Sequence, residues 1–245
     1  MEFFVFMIIG FLGNFVGVLC GGGGLITLPT MLLMGLPAHS AIGANKVSNT
    51  VSSFTSFLVI FKEKEISLKE TFTVLVMCLI GGALGGVIAT LLSDSTLTMI
   101  AIILLAFAFV TSFFSKNDFE GHALFKPNKI TVPSLLGISM YDGMFGPGSG
   151  TLQMYLYAHE KIVYIRAVGL ARVGVFAGCF GSAISYIATG KIMWGLTIAL
   201  MIGSTIGAQV AVRVARKLDT KYVNPLLRMI TLILIVQIVI SYFRG

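Results

Sequence analysis

Charge is scarce in this chain. Only 11% of its 245 residues are Asp, Glu, Lys or Arg, against about 25% in an ordinary soluble domain. With 56% hydrophobic residues and a mean hydropathy of +0.96, no soluble core absorbs the apolar surface that remains. Histidine is rare too: His39, His122 and His159 fall in loops or near helix ends, without the spacing of a metal site. The three cysteines, Cys20, Cys78 and Cys179, lie in apolar stretches with no CxxC spacing, so neither a disulfide framework nor zinc is indicated. Paired carboxylates are missing, and no serine or cysteine has a placed base, which leaves enzyme chemistry without its residues. Residues 1–20 contain no Lys or Arg, whereas a cleaved signal peptide needs a basic start, so this segment is expected to stay in the mature protein.

What the chain has is long apolar runs, at 3–20, 41–61, 70–92, 97–115, 131–146, 167–189, 194–214 and 223–243. About 20 helical residues span a hydrocarbon core of roughly 30 Å, so each run fits a membrane helix. The pieces at 25–34 and 151–158 reach about 15 Å or less and read as return arms of re-entrant hairpins. The net charge of +7 lies mostly in short loops rather than on one amphipathic face, which points to membrane topology and away from nucleic acid. With hairpins at both places, the stretches 62–69, 116–129, 161–166 and 213–221 share one side and hold twelve Lys and Arg. The other side keeps Lys191 and Arg244. This predicts a multi-pass protein of the inner or plasma membrane with both termini outside and a cytoplasmic linker at 116–130.

The two halves resemble each other. A shift of 126 residues superposes Gly17, Gly22, Gly24, Ala41 and Gly43 on Gly143, Gly148, Gly150, Ala167 and Gly169, and brings Lys46 onto Arg172. The predicted fold is therefore an all-α polytopic membrane protein of two inverted repeats, 1–115 and 131–245, each a helical hairpin plus three transmembrane helices. Inverted repeats with interrupted helices meeting near the midplane are an architecture of secondary transporters.

The hairpin tips are Gly21-Gly22-Gly23-Gly24 and Gly146-Pro147-Gly148-Ser149-Gly150. Glycine permits the reversal and lets a ligand approach bare N–H groups where a return arm begins, at the end of a helix that favours negative charge. Candidate anion ligands are thus Gly22, Gly23, Gly24 and Leu25 at one tip and Gly148, Ser149, Gly150 and Thr151 at the other, with Gln153 just beyond. The bland alternative is close helix packing, the role expected of Gly13/Gly17, Gly81/Gly85 and Gly203/Gly207.

Lys46 and Arg172 each fall about eight residues past a helix start, roughly 12 Å into the membrane from opposite sides. A basic residue at that depth costs about 2.5–3.5 kcal/mol, so it serves either a substrate or a buried ion pair. Asn45, Ser48, Asn49 and Ser52 share the Lys46 helix face and either line a hydrated path or bond neighbouring helices. Asp142, the one acid within an apolar segment, either neutralises Arg172 or carries a coupling proton.

The stretch from Gly17 through Gly24, Pro29 and the Gly35-Leu36-Pro37 turn to Ala41-Ile-Gly-Ala-Asn-Lys46 resembles the first motif of the TauE/SafE family of sulfite and organosulfur anion exporters. Asp142 to Gly150 with Ala167-Val-Gly-Leu-Ala-Arg172 resembles its second motif. The resemblance implies transport of sulfite, thiosulfate or small sulfonates. A passive anion channel is the alternative, followed by a membrane-embedded enzyme or assembly factor. The expected partners are a small anion and the lipid bilayer, with self-association left open; no cofactor, metal or catalytic residue is expected.

Overall fold

Runs of apolar residues broken only at Gly-Pro turns and short polar connections fold as helices. The computed structural model describes residues 2–21, 23–93, 95–97, 99–100, 103, 125–218 and 229, and no strand occurs among them. Eight helices are described: α1 (Glu2–Cys20), α2 (Gly24–Leu33), α3 (Ala38–Lys62), α4 (Leu68–Leu91), α5 (Thr131–Met144), α6 (Ser149–His159), α7 (Tyr164–Ala188) and α8 (Trp194–Ala215). The runs expected at 97–115 and 223–243, and the linker up to 124, lie almost wholly outside the described residues.

Four described helices are long and apolar enough to cross a membrane: Glu2–Leu19, Leu68–Leu91, Tyr164–Ala188 and Trp194–Ala215. The first arm, α1, is thus long enough to span alone, unlike its counterpart α5 with 14 residues. Helix α3 has the length, at 25 residues, but carries Asn45, Lys46, Ser48, Asn49, Ser52, Ser53 and Ser56, all buried. The burial pattern is inverted relative to a soluble protein. Leu91, Leu68, Phe72 and Phe4 are 80%, 74%, 69% and 64% exposed, while Lys46 and Gln153 are 0% exposed. Lipid takes the apolar rim, and the polar side chains turn inside.

Helix pairing recurs on exchange of the halves. Helix α1 packs on α8, as α5 packs on α4; α3 packs on α8, as α7 packs on α4; and α3 meets α7. Glycines set the close contacts, as expected for Gly81/Gly85 and Gly203/Gly207. A Cβ at Gly81 would lie 2.6 Å from the Leu136 carbonyl, and one at Gly203 would fall on that of Met7. Gly85 meets Met140 and Gly207 meets Phe11, so α5 runs parallel to α4, and α1 to α8.

The ends of the bundle are tied by polar contacts. Glu63 pairs with Arg216, Arg166 donates to both Glu70 oxygens at 2.9 Å, and Asn128 Nδ2 donates to Glu160 Oε1 at 3.1 Å. The Phe125 N–H donates to Glu70 Oε1 at 2.8 Å. The basic stretches 62–69, 125–129, 161–166 and 213–217 therefore gather at one end. At the other, Ser40 Oγ donates to the Lys191 carbonyl at 2.6 Å. Since α4 starts where α8 ends, α1 and α5 run in opposite senses.

Candidate functional site

Two helix breaks meet inside the bundle. At the first, Gly21 (φ 73°) turns the chain between α1 and α2; at the second, Gly146 (φ 103°) and Gly148 (φ 82°) turn it between α5 and α6. Left-handed backbone of this kind is open to glycine at little cost. The tips touch: a Cβ at Gly150 would lie 2.5 Å from the Gly21 carbonyl, and one at Gly24 would lie 3.3 Å from the Pro147 Cα. Tyrosines brace both breaks. The Tyr164 hydroxyl donates to the Leu19 carbonyl at 2.8 Å, Tyr186 to that of Met144 at 2.7 Å, and Tyr141 to that of Pro147.

Each buried cation reaches across to the other half. Lys46 Nζ, from α3, donates to the Asp142 carbonyl in the last turn of α5 and lies 3.2 Å from Asp142 Oδ1. Arg172, from α7, donates to the Gly17 carbonyl in the last turn of α1 at 2.9 Å. Both cations thus sit at helix C-termini, where the dipole favours positive charge. The acid is placed differently from the option that gave it to Arg172: Asp142 pairs with Lys46. The crossing of α3 over the second hairpin brings that ammonium to the carboxylate, while Arg172 is drawn to the first hairpin. Arg172 is in no ion pair among the described residues, and its Nε has no hydrogen-bond partner.

Asp142 Oδ1 also accepts from Ser149 Oγ at 2.7 Å, and Oδ2 lies 3.5 Å from Cys179 Sγ. Two basic side chains, Lys46 and Arg172, and one acid, Asp142, thus share the buried interior. Beside them lies a cavity of about 20 Å³ lined by Asn14, Gly21, Gly23, Gly24, Asn49, Asp142, Gly146, Ser149, Arg172 and Val175. That volume suits about one water molecule.

Several candidates converge here, and others do not. Gly23, Gly24, Asn49, Asp142, Ser149 and Arg172 line the cavity, with Lys46 behind Asp142. Gly150 is covered by Gly21, and Thr151 is buried. Gln153 is fully buried against Gly174 with neither amide atom bonded. Gly22 and the Leu25 side chain lie outside the described residues. The polar face of α3 bonds its neighbours: Asn45 Oδ1 accepts from Thr27 Oγ1 and Asn49 Nδ2, both at 3.0 Å, and Ser48 Oγ donates to Ser204 Oγ at 2.8 Å.

Asn14 went unsignalled in the sequence-based candidates. Its Nδ2 donates to Asn49 Oδ1 at 3.0 Å and its Oδ1 accepts from Ser52 Oγ at 3.2 Å. An amide within the apolar run 3–20 was the available clue, since such groups seldom face lipid.

Residues 6–238 match the family described as Sulfite exporter TauE/SafE. The chain belongs to the TauE/SafE family. Its relatives include a "Probable membrane transporter protein ORF9" from Sinorhizobium, 27% identical over 93% of this chain and 88% of that one. A "Probable membrane transporter protein" from Haemophilus influenzae is 25% identical over 97% of this chain and 93% of its own length. The "Probable membrane transporter protein YunE" of Bacillus subtilis is 21% identical over 98% of both. No solved structure matches. This TauE/SafE chain is a membrane transporter and not an enzyme.

Proposed function

We propose that this transporter exports small sulfur-containing anions such as sulfite, thiosulfate or sulfonates by alternating access. One observation carries the proposal: two helix breaks meet around Lys46 and Arg172, each buried and each reaching into the opposite half. Lys46 and Arg172 give the site two cationic groups against the one acid Asp142, an excess that attracts an anion. The return arms α2 and α6 supply partial positive charge at their N-termini, and Gly24 and Ser149 open them to a ligand.

The halves 1–115 and 131–245 act as inverted repeats joined by the linker 116–130. Opposite senses of α1 and α5, and pairings that recur on exchange, support this arrangement. The end carrying the basic stretches faces the cytoplasm of the inner or plasma membrane, which leaves both termini outside. A cavity near 20 Å³ favours a carrier over an open channel, because an oxyanion needs the tips to part. Moving one negative charge outward releases about 2.3 kcal/mol per 100 mV across an inside-negative membrane, so export needs no coupling ion.

A thermal-shift screen of the purified protein against sulfite, thiosulfate, sulfate, taurine and acetate tests the substrate class. A ligand at ~100 Kd adds roughly 2.7 kcal/mol of stability. Sulfite or thiosulfate is expected to stabilise the protein most; a response to acetate alone would overturn the sulfur-anion assignment.

A further inference from the structure

The acid of the buried ion pair sits where an anion is expected. Asp142 Oδ1 accepts from Ser149 Oγ at 2.7 Å and lies 3.2 Å from Lys46 Nζ. Ser149 is the first residue of α6, an 11-residue helix preceded by Gly148 in left-handed conformation. A carboxylate is thus seated by an ammonium and by a hydroxyl on the first residue of α6, donors a small oxyanion would use. A second cation shares the cavity. Arg172 is 3% exposed, has an unpartnered Nε and lines the space together with Asp142 and Ser149. At about 20 Å³, that space does not hold an oxyanion beside the carboxylate.

We propose that Asp142 is a tethered stand-in for the transported anion: in the empty carrier its carboxylate fills the seat at α6 and neutralises Lys46, and an arriving anion displaces it. This rests on the anion-export function above and adds the group that holds the site when no substrate is there. A carrier must change access both loaded and empty, and a lone buried ammonium is the costly state in either. Substrate neutralises Lys46 on the loaded passage, and Asp142 does so on the return. The stand-in competes with substrate by the same contacts through which it stabilises the empty form.

Asp142→Asn tests this, because the amide keeps the shape and removes the competing charge. Thiosulfate is expected to bind the purified variant about tenfold more tightly, the order of one charge-assisted contact. In proteoliposomes, net thiosulfate efflux should fall while thiosulfate–thiosulfate exchange persists, since only the empty carrier has lost its counter-ion. An acid with a purely structural role would instead lower binding, net efflux and exchange together. Asp142→Glu covers the event that the amide does not fold: its extra methylene unseats the carboxylate from Lys46 and Ser149, and a severalfold gain in affinity is expected. Unchanged or weaker thiosulfate binding in the folded variant, beside a wild type that binds, overturns the stand-in role alone. Absence of thiosulfate and sulfite binding in wild type and variants alike overturns the export function, and this inference with it.

Discussion

Lys46 and Asp142, 96 positions apart in sequence, form an ion pair at 3.2 Å in the middle of the helical bundle. Arg172, onto which a shift of 126 residues brings Lys46, has no carboxylate partner among the described residues. The two cations should therefore respond differently to removal. Lys46→Ala leaves a buried carboxylate unpaired, an event that costs about 3–5 kcal/mol, so thermal stability and anion binding should fall together. Arg172→Ala removes the bond to the Gly17 carbonyl, worth about 1.5–3 kcal/mol, and breaks no ion pair among the described residues, so binding should suffer more than stability. Melting curves with and without thiosulfate separate the two patterns.

Gly146 and Gly35 both have φ beyond +80°, but their surroundings differ. A Cβ at Gly146 would fall on the Lys46 ammonium, whereas one at Gly35 meets nothing within 4 Å. Both alanine variants carry a backbone cost of roughly 1–2 kcal/mol. Only Gly146→Ala should also abolish thiosulfate binding, as isothermal calorimetry on the two purified variants would show.

Small residues fix the helix crossings as well. Gly203→Val would drive a side chain into the Met7 carbonyl of α1, while Gly137→Ala on α5 enters open space. Overpacking typically costs 1–3 kcal/mol, and more where backbone is the obstacle, so Gly203→Val should lose most of its folded yield. Gly137→Ala should gain up to about 1 kcal/mol from helix propensity. Size-exclusion profiles in detergent, combined with melting temperatures, distinguish the outcomes.

Sidedness is open to direct chemistry. In a background without Cys20, Cys78 and Cys179, a cysteine at Lys191 should react with impermeant maleimide in intact cells. One at Lys126 should react only after the membrane is opened. The reverse pattern would turn the protein over and would rule out both termini being outside.

Much of this arrangement was legible in the sequence. Apolar runs of membrane length, two pieces too short to cross, and glycines repeating at a fixed offset located α1 to α8 and both breaks. Counting from the starts of α3 and α7, at Ala38 and Tyr164, places Lys46 and Arg172 at matching positions, and both are buried. What distance along the chain does not encode is which helices cross. Asp142 lies on the second hairpin with Arg172 in the same half, yet its partner comes from α3. Gln153, whose repeat counterpart Thr27 bonds Asn45, instead faces Gly174 with both amide atoms unpaired. Glu70 opens the apolar run 70–92 and carries no sequence signal of a partner. It is 5% exposed, because Arg166 and the Phe125 N–H, from distant segments, converge on it.

The central claim, electrogenic export of a small sulfur-containing anion through a site built on Lys46 and Arg172, is tested most directly by voltage. Wild-type protein would be reconstituted in liposomes with a potassium gradient clamped by valinomycin, and thiosulfate and sulfite flux followed at several imposed potentials. Flux should rise with the driving potential, by an energy of about 2.3 kcal/mol per charge per 100 mV, and should vanish in Arg172→Ala. Flux indifferent to voltage but abolished by collapsing the pH gradient, and lost in Asp142→Asn, would contradict uncoupled export and make Asp142 the carrier of a coupling proton.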